Sequence, residues 1–470
     1  MTESDPRNGR VTLDLYPSFF RHGFSMNIVI LGAGTVGTSI AELLCQDGQN
    51  VTLVDSNRDV LDAVEEKLDL QTICGSACDA VTLFQAGVQS AELCLCVTNS
   101  DETNLIGSSM AKSMGARRSV ARIYNPAFRD NSTFDYRLHF GIDRLLSLEH
   151  LTALEIAKRI RKQGLFAVDY FARGGIEVIE VAVEKDSQIV GIPLREMKIP
   201  AGVRVGLIAS EGKTIIPGAD DVLQIGDHAT LIGGLEKIER VRKMFEHRFP
   251  PKLNVVIAGG GEIGYHLALL LETGRFNVTL MEADAERCAY LAERLAKVTV
   301  LHADITRRSE MEEARVGKAD VFVATTGRDE DNIVCGVEAR ELGSQRIIGI
   351  IRRPDYANVV EKLGIDVAVS PREVMAAQIR GMVNAGPIIA RSFIAGGDAE
   401  VWEVDILKGA PVTRSPLKDL HFDGALVAAL VHGDLAKVPK ADDLMKPGET
   451  AVMIVEHSRK AEILQMFEPE

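Results

Sequence analysis

Two glycine-rich loops in this 470-residue chain have the spacing of a phosphate-binding turn. GAGTVG occupies 32–37 and follows the apolar run NIVIL, and GGGEIG occupies 259–264 and follows LNVVIA. Each loop also opens an apolar stretch with helical spacing, so each lies in the strand–turn–helix order that this motif requires. The N–H groups and the positive dipole end of such a helix favour a bound diphosphate. The sequence therefore predicts two nucleotide sites.

An acid closes the next predicted strand after each loop, Asp55 in the first copy and Glu282 in the second. A carboxylate at this position accepts hydrogen bonds from ribose hydroxyls and would repel a 2′-phosphate. The first site is therefore expected to prefer NAD(H) or an adenine nucleotide over NADP. In the first loop, Gly32 permits the tight turn, Gly34 lets the backbone approach a diphosphate, and Gly37 lets the helix pack closely on the sheet.

The second loop differs from the first by an acid in its first helical turn. Glu262 would compensate the dipole of an empty helix end. It would also compete with a bound diphosphate, because two like charges would seek the same N–H groups. The second site is therefore expected to bind a different nucleotide, to bind weakly, or to stay empty.

The ends of the predicted strands show the same asymmetry. Thr98 and Asn99 follow the fourth strand of the first copy, at the edge where cofactors bind to parallel sheets, and the second copy has Gly327 in place of Asn99. Arg122 closes the fifth strand, where the second copy has Ile350. Arg122 could pair with a phosphate or form a surface ion pair, and the sequence leaves both possibilities open.

The loops belong to a long internal repeat. NIVILGAGTVG (27–37) aligns with NVVIAGGGEIG (254–264), and NVTLVDSN (50–57) aligns with NVTLMEAD (277–284). Strands and helices alternate in each half, which predicts an α/β fold: two doubly wound parallel-sheet (Rossmann-like) domains, each followed by a small α+β domain. The predicted segments are an N-terminal extension expected to be disordered (1–25), the first Rossmann domain (26–148), a crossover helix with the first α+β domain (149–250), the second Rossmann domain (251–371), and a crossover helix with the second α+β domain (372–470).

Composition and charge narrow the functional class. The chain has 46% hydrophobic residues, 26% charged residues and a net charge of −14. These values are ordinary for a globular protein, and the acidic balance argues against a nucleic-acid partner. No apolar run reaches the ~20 residues of a membrane span. The seven cysteines include no CxxC pair, so the sequence predicts no metal site, no structural disulfide and a cytoplasmic location.

No catalytic group can be assigned beside either predicted cofactor. A dehydrogenase needs an acid–base residue next to the nicotinamide, yet the sequence contains no Tyr-x-x-x-Lys motif and no recognisable Ser/His/Asp arrangement. The nucleotide is therefore predicted to act as a signal rather than as a substrate, and the chain is predicted not to be an enzyme. An NAD-dependent oxidoreductase with an unrecognised site stays open as the alternative.

The combination of motifs resembles a known family. NIVILGAGTVG, VTLVDSN, VTNSDETN and ARIYNPAF are similar to the nucleotide-binding domain that regulates conductance of potassium (RCK). GIPLREMKIP and IPGADDVLQIGD are similar to its companion C-terminal domain. Two such pairs in tandem resemble the TrkA family, the cytosolic regulatory subunits of bacterial Trk potassium uptake systems. The resemblance extends from Met26 to the C-terminus.

The resemblance implies a function, partners and a set of contacts. It implies a ring of these domains on the inner face of the cell membrane, beneath a potassium-translocating transmembrane subunit and gated by NAD(H), ATP or ADP. A homo-oligomer is expected, a dimer or tetramer by common closed symmetries. A regulator of a potassium–proton antiporter is the related alternative. The predicted nucleotide-site residues are Gly32, Ala33, Gly34, Thr35, Val36, Gly37, Asp55, Thr98, Asn99 and Arg122 in the first half, and Gly259, Gly260, Gly261, Glu262, Ile263, Gly264 and Glu282 in the second.

Overall fold

The computed structural model contains four sheets among the residues it describes, two with six strands and two with five. The extension predicted at 1–25 lies outside the described residues, apart from Ser25. The described ranges are 25–128, 134–161, 166–185, 187–210, 213–245, 252–272, 275–384, 387–394, 398–432 and 435–469.

The first Rossmann domain alternates strands and helices. Its elements are β1 (Asn27–Leu31), α1 (Thr35–Gln46), β2 (Asn50–Asp55), α2 (Arg58–Glu65), β3 (Gln71–Cys74), α3 (Ala80–Gln85), β4 (Leu93–Cys96), α4 (Asp101–Met114), β5 (Ser119–Arg122), α5 (Tyr136–His139) and β6 (Arg144–Leu146). The parallel strands have the order β3-β2-β1-β4-β5-β6. The order reverses between β1 and β4, which pair with Ile28 opposite Leu93. A ligand crevice is therefore expected at the carboxyl ends of these two strands.

The first α+β domain follows a long crossover helix. Its elements are α6 (Leu148–Arg161), β7 (Phe166–Phe171), β8 (Ile176–Ala182), β9 (Val203–Ser210), β10 (Lys213–Ile215), β11 (His228–Gly233) and α7 (Leu235–Phe245). The sheet has the order β10-β9-β11-β8-β7 with antiparallel pairs throughout. Both faces of this sheet are covered, because Ile179 and Val181 share a core with α7, and Ile176 and Val178 lie in a second core.

The second half repeats both architectures. Its Rossmann elements are β12 (Leu253–Ala258), α8 (Glu262–Leu271), β13 (Phe276–Glu282), α9 (Ala285–Arg294), β14 (Val298–His302), α10 (Arg308–Glu313), β15 (Val321–Ala324), α11 (Asp329–Leu342), β16 (Arg346–Ile350), α12 (Pro354–Val360) and β17 (Val367–Val369). Its α+β elements are α13 (Pro371–Asn384), β18 (Ile388–Ile394), β19 (Ala399–Asp405), β20 (Ala425–His432), β21 (Leu435–Lys437), β22 (Thr450–Glu456) and α14 (Lys460–Phe467). The sheet orders are β14-β13-β12-β15-β16-β17 and β18-β19-β22-β20-β21. The predicted fold class is confirmed.

The crossover helix of the first half packs on the second half. α6 contacts α8, and Ala153, Ile156 and Ile160 share one buried core with Leu267 and Leu271. These residues recur at helical spacing, so the sequence places them on one face of α6. The helical pattern does not say which domain covers that face, and the structure shows that it is the other half.

The second crossover helix makes the reciprocal exchange. α13 contacts α1, and Ile379 and Val383 share a core with Ile40 of the first half. Arg380 of α13 also forms an ion pair with Asp47, directly after α1. Each half therefore buries a helix of the other, and neither Rossmann core is complete alone.

The two α+β domains also pack on each other. Val178 and Leu207 share a core with Val401 and Ile454. A Cβ added at Gly206 would lie 2.0 Å from Cδ1 of Ile454, so the side chain of Ile454 occupies the space that this glycine leaves open.

Largely buried ion pairs link each Rossmann domain to the α+β domain of the opposite half. Arg144, in β6, donates from Nε to Oδ2 of Asp405 over 3.1 Å. Nη1 of Arg275 lies 3.6 Å from Oε1 of Glu177. The two halves therefore form an intertwined pair. Across the described ranges, every helix is too short or too polar to cross a membrane.

Candidate nucleotide sites

The first glycine-rich loop has the geometry of a phosphate-binding turn. Gly32 has φ of 111°, which a side chain would strain. A Cβ at Gly37 would lie 1.9 Å from the carbonyl oxygen of Gly32, so only glycine lets α1 pack this closely. A Cβ at Gly34 would meet no atom within 4 Å. The open space at Gly34 is where the sequence predicts the approach of a diphosphate.

The start of α1 is suited to an anion. Gly34 is the residue before α1, no side chain of the described chain caps this end, and the first turn contains no acid. Gly34 and Thr35 are exposed, whereas Val36 and Ala33 are buried. Val36 packs in the core, so only its backbone could face a ligand. The positive end of the helix dipole is thus left facing the open side of the loop.

Asp55 orients the loop as well as closing β2. Its Oδ2 accepts a hydrogen bond from the backbone N of Ala33 over 2.7 Å, and its Oδ1 accepts one from the backbone N of Asn57 over 2.9 Å. A carboxylate oxygen has more than one lone-pair site. Asp55 can therefore keep both bonds and still accept from a ribose hydroxyl.

A buried amide that the sequence interpretation missed holds two strand ends together. Oδ1 of Asn104 accepts from N and Oγ1 of Thr98 over 2.8 and 2.7 Å. Its Nδ2 donates to the carbonyl oxygens of Thr98 and Arg122 over 3.1 and 2.9 Å. Asn332 repeats this arrangement in the second half, on Thr326 and Ile350. The recurrence of this asparagine in DETN and DEDN was the available signal.

Arg122 pairs with the crossover helix. Its Nη2 lies 3.6 Å from Oε1 of Glu149, and the side chains are only 20% and 11% exposed. The pair is therefore a largely buried one rather than a surface ion pair. Nε of Arg122 is buried and has no hydrogen-bond partner within the described chain. The predicted phosphate contact of Arg122 stays a prediction. Asn99, beside it at the crevice, is exposed.

The second loop has the same backbone geometry. Gly259 has φ of 109°, and a Cβ at Gly264 would lie 2.0 Å from the carbonyl oxygen of Gly259. A Cβ at Gly261 would meet no atom within 4 Å. Oε2 of Glu282 accepts from the backbone N of Gly260 over 2.6 Å, as Asp55 does in the first half. Both loops are thus built alike.

Glu262 forms an ion pair with Arg287 and lies close to His266. Its Oε1 accepts from Nη2 of Arg287 over 3.0 Å, and its Oε2 lies 3.9 Å from Nε2 of His266, one turn along α8. No side chain caps α8 among the described residues. Arg287 also donates from Nε to the carbonyl oxygen of Gly260 over 2.7 Å. The competition predicted between Glu262 and a phosphate stays a prediction, and Arg287 compensates the charge that would cause it.

At two strand-end positions the second site has a glycine or an apolar residue where the first has a polar side chain. Gly327 is exposed where the first half has Asn99, and a Cβ there would meet no atom within 4 Å. Ile350, at the position of Arg122, is fully buried in a hydrophobic core. Ile263 is buried like its counterpart Val36.

Fold and site together define a tandem nucleotide-binding protein of the RCK type, with two Rossmann lobes that carry paired glycine-rich loops and two α+β lobes. The TrkA-N domain family matches residues 28–146 and 255–371, and the TrkA-C domain family matches residues 178–246. The chain belongs to the TrkA family. The sequence-based assignment to that family is confirmed.

Relatives match over nearly the whole chain. The Trk system potassium uptake protein TrkA of Haemophilus influenzae is 30% identical over 454 residues, which are 94% of this chain and 99% of that protein. The Trk system potassium uptake protein TrkA homolog 1 of Methanosarcina mazei is 29% identical over 451 residues, which are 94% of this chain and 100% of that protein.

Solved structures share the fold. The crystal structure of the GsuK RCK domain is similar with a TM-score of 0.55 and 18% identity, covering 95% of this chain and 96% of that chain. The GsuK channel bound to NAD is similar with a TM-score of 0.55 and 18% identity, covering 97% of this chain and 81% of that chain.

Proposed function

We propose that this chain is a cytosolic regulatory subunit that senses a nucleotide and gates a potassium-translocating membrane protein. The observation that carries the proposal is the first loop. It is open at Gly34, α1 begins there without an acid in its first turn, and Asp55 lies beside the loop. NAD(H), ATP and ADP all supply the diphosphate and the ribose diol that this arrangement suits.

The first site is the tighter of the two in this proposal. Arg122 brings a buried cation whose Nε has no hydrogen-bond partner within the described residues, and Asn99 adds an exposed amide. The second site has Ile350 and Gly327 at these positions, and its Glu262 is paired with Arg287. At these two strand-end positions the first site therefore offers a nucleotide diphosphate hydrogen-bond donors that the second site does not.

The intertwined fold gives a route from the nucleotide to the whole molecule. A ligand shifts a conformational equilibrium by its differential affinity for the two states. A shift of α1 would displace α13, because Ile40 and Ile379 lie in one core. Arg144 gives a second connection, since it bonds the first Rossmann lobe to Asp405 of the second α+β lobe. Binding at one loop can therefore bias the arrangement of both halves, and an assembly of chains would pass that bias to a pore.

The chain acts by binding and not by turnover in this proposal. The residues around the first loop supply hydrogen-bond donors, an acceptor at Asp55 and a cation at Arg122, and these bind and orient a nucleotide. The test is incubation of the purified chain with NADH and common carbonyl acceptors. Loss of the NADH absorbance at an enzymatic rate would report hydride transfer and would replace this proposal by an oxidoreductase.

The partner is a potassium-translocating transmembrane subunit, and the relatives carry the name of a potassium uptake system. The net charge of −14 favours docking on the basic loops that membrane proteins carry on their cytoplasmic face. Raised salt should then slow docking, because charges are screened over about 10 Å at 0.1 M. A homo-oligomer, dimer or tetramer, would supply the symmetry of a gating ring.

Potassium uptake in cells that lack this chain provides the functional test. Expression of the wild-type chain should restore regulated uptake, and Asp55→Ala should restore uptake with altered regulation because nucleotide binding is weakened. Titration of the purified chain with NAD⁺, NADH, ATP and ADP identifies the nucleotide. Uptake that does not depend on the chain would contradict the proposal, and altered potassium–proton exchange instead of uptake would favour an antiporter regulator.

A further inference from the structure

The first turn of α6 contacts residues of both nucleotide sites. Glu149 and His150 are neighbours in this turn. Oε1 of Glu149 lies 3.6 Å from Nη2 of Arg122, at the end of β5 in the first site. The ring of His150 lies 5.0 Å from the ring of His266, on α8 of the second half, at an interplanar angle of 87°. Two adjacent residues thus face opposite halves of the chain.

The contacts continue from His266 to the second loop. Nε2 of His266 lies 3.9 Å from Oε2 of Glu262, and Oε1 of Glu262 accepts from Nη2 of Arg287 over 3.0 Å. Arg287 then donates from Nε to the carbonyl oxygen of Gly260, within the loop itself, over 2.7 Å. A series of contacts therefore joins the crevice of the first site to the loop of the second: the Arg122–Glu149 ion pair, the His150–His266 ring contact and the Glu262–Arg287 ion pair.

These contacts are shielded and mechanically connected. The side chains of Glu149 and His266 are each 11% exposed, and that of Glu262 is 15% exposed, so little water screens the Glu149–Arg122 and Glu262–Arg287 ion pairs. Ser147 fixes the turn, because its Oγ donates to Oε2 of Glu149 and accepts from the backbone N of His150, each over 3.2 Å. Glu149 and His150 therefore move together.

The reciprocal crossing of α13 on α1 has the same packing without this series. The series consists of Arg122, Glu149, His150, His266 and Glu262. The matching positions of the repeat hold, in the same order, Ile350, Arg372, Glu373, Ser39 and Thr35. Glu373 is exposed where His150 faces the other half. Within the described residues, this series of contacts therefore occurs only where α6 packs on α8. The matching residues where α13 packs on α1 can serve as controls.

We propose that the first turn of α6 couples the two nucleotide sites, with Glu149 positioning Arg122 at the first and His150 acting through His266 on the second. The inference rests on the proposed function, because it requires a nucleotide at the first loop. A phosphate there competes with Glu149 for Arg122. When that pair weakens, the turn shifts, and His150 moves against His266 and so alters the support of Glu262. The coupling is reciprocal, so changes at Glu262 alter the first site equally.

A double-mutant cycle on the full chain tests the coupling. The readout is the affinity of the first site for NADH and ADP, measured by calorimetry with Glu282→Ala present throughout to weaken the second site. Glu262→Gln should change this affinity about threefold to tenfold when His150 is present. The same substitution should change it less than about twofold in a His150→Ala background, because the route through α6 is broken. Glu373→Ala, the control on α13, should leave the effect of Glu262→Gln intact.

The outcomes separate this inference from the proposed function. Two outcomes would overturn the coupling but not the proposed function. In the first, binding depends on Asp55 but Glu262→Gln does not change the affinity. In the second, Glu262→Gln changes the affinity equally with and without His150. Absence of Asp55-dependent binding would overturn both. If His150→Ala lowers the thermal midpoint so far that the chain is unfolded, His266→Gln breaks the same ring contact and replaces it in the cycle. Restored coupling in a His150→Gln, His266→Gln pair, whose amides can bond to each other, would support the contact as the route.

Discussion

Oε2 of Glu282 accepts a hydrogen bond from the backbone N of Gly260 over 2.6 Å, and a Cβ added at Gly260 would lie 3.0 Å from that same oxygen. In the first half the shorter Asp55 makes the equivalent bond to Ala33 over 2.7 Å. The longer acid thus occurs with glycine and the shorter acid with alanine. Each loop is matched to the length of its own acid.

The matching predicts the effect of alanine at Gly260. The added Cβ would also lie 2.5 Å from Cδ1 of Leu291, where the first half has the smaller Val64. Gly260→Ala should cost about 1–3 kcal/mol by overpacking. Most of that cost should vanish in a Glu282→Asp, Leu291→Val background, which recreates the first-half combination. Urea unfolding followed by circular dichroism measures the free energy of unfolding in both backgrounds. An equal cost of Gly260→Ala in the two backgrounds would show that the loop residue is not matched to the length of the acid.

Asp55 should control the tighter nucleotide affinity. Asp55→Ala removes the ribose acceptor and the bond to Ala33, and should weaken binding about tenfold to a hundredfold, as loss of charge-assisted hydrogen bonds does. Asp55→Asn keeps an acceptor for Ala33 and should lose less. Glu282→Ala should leave the tighter affinity nearly unchanged. Calorimetry with NADH and ADP distinguishes the sites, and equal losses from Asp55→Ala and Glu282→Ala would contradict the asymmetry between them.

Asn104 should matter for stability and for nucleotide binding at once. Asn104→Ala leaves the part-buried backbone N of Thr98 and the carbonyl oxygen of Arg122 without this partner, at a cost of about 1–3 kcal/mol. Nucleotide affinity at the first site should fall with it, because Thr98 and Arg122 flank the crevice. Asn332→Ala is the control, with a similar stability cost and little effect on that affinity. Unchanged affinity in a folded Asn104→Ala chain would separate this network from the site.

Two matching helices offer apolar surface for assembly. Ile106 of α4 is 44% exposed and Val334 of α11, at the matching position of the repeat, is 62% exposed. We expect these two helix surfaces to form the contact between chains. Ile106→Glu and Val334→Glu together should weaken self-association by at least about tenfold, since each would bury a charge in that contact. Phe84→Glu is the control, because Phe84 is 63% exposed but its counterpart is the polar Glu312. If light scattering finds that the wild-type chain is a monomer at micromolar concentration, self-association through α4 and α11 is contradicted.

The cysteines should divide sharply in reactivity. Burial raises the pKa of the Cys94 and Cys335 thiols to about 12, so almost no thiolate forms at pH 8. Cys74 is exposed. Iodoacetamide at pH 8 should therefore modify Cys74 in the folded chain and spare Cys94 and Cys335, with all seven cysteines modified in urea. Mass spectrometry gives the sites, and rapid labelling of Cys94 in the folded chain would show that its strand opens.

Much of the site could be predicted because its parts are local. The glycines of each loop must satisfy a turn and a close helix approach within six residues, and Asp55 follows on the adjacent parallel strand. Asn104 could not be predicted in the same way. Its hydrogen-bond partners lie on β4 and β5, and no short spacing rule links a helical asparagine to the ends of two strands.

By itself, the sequence determined the repeat, the two Rossmann loops, the acids that follow them and the family, because each depends on residue order over a short stretch. Only the tertiary structure decided that α6 and α13 exchange halves, and that Arg287 and His266 hold Glu262. The apolar face of a helix specifies that it must be covered, but any surface of suitable shape can cover it. The choice between the two halves therefore depends on how all four lobes pack at once.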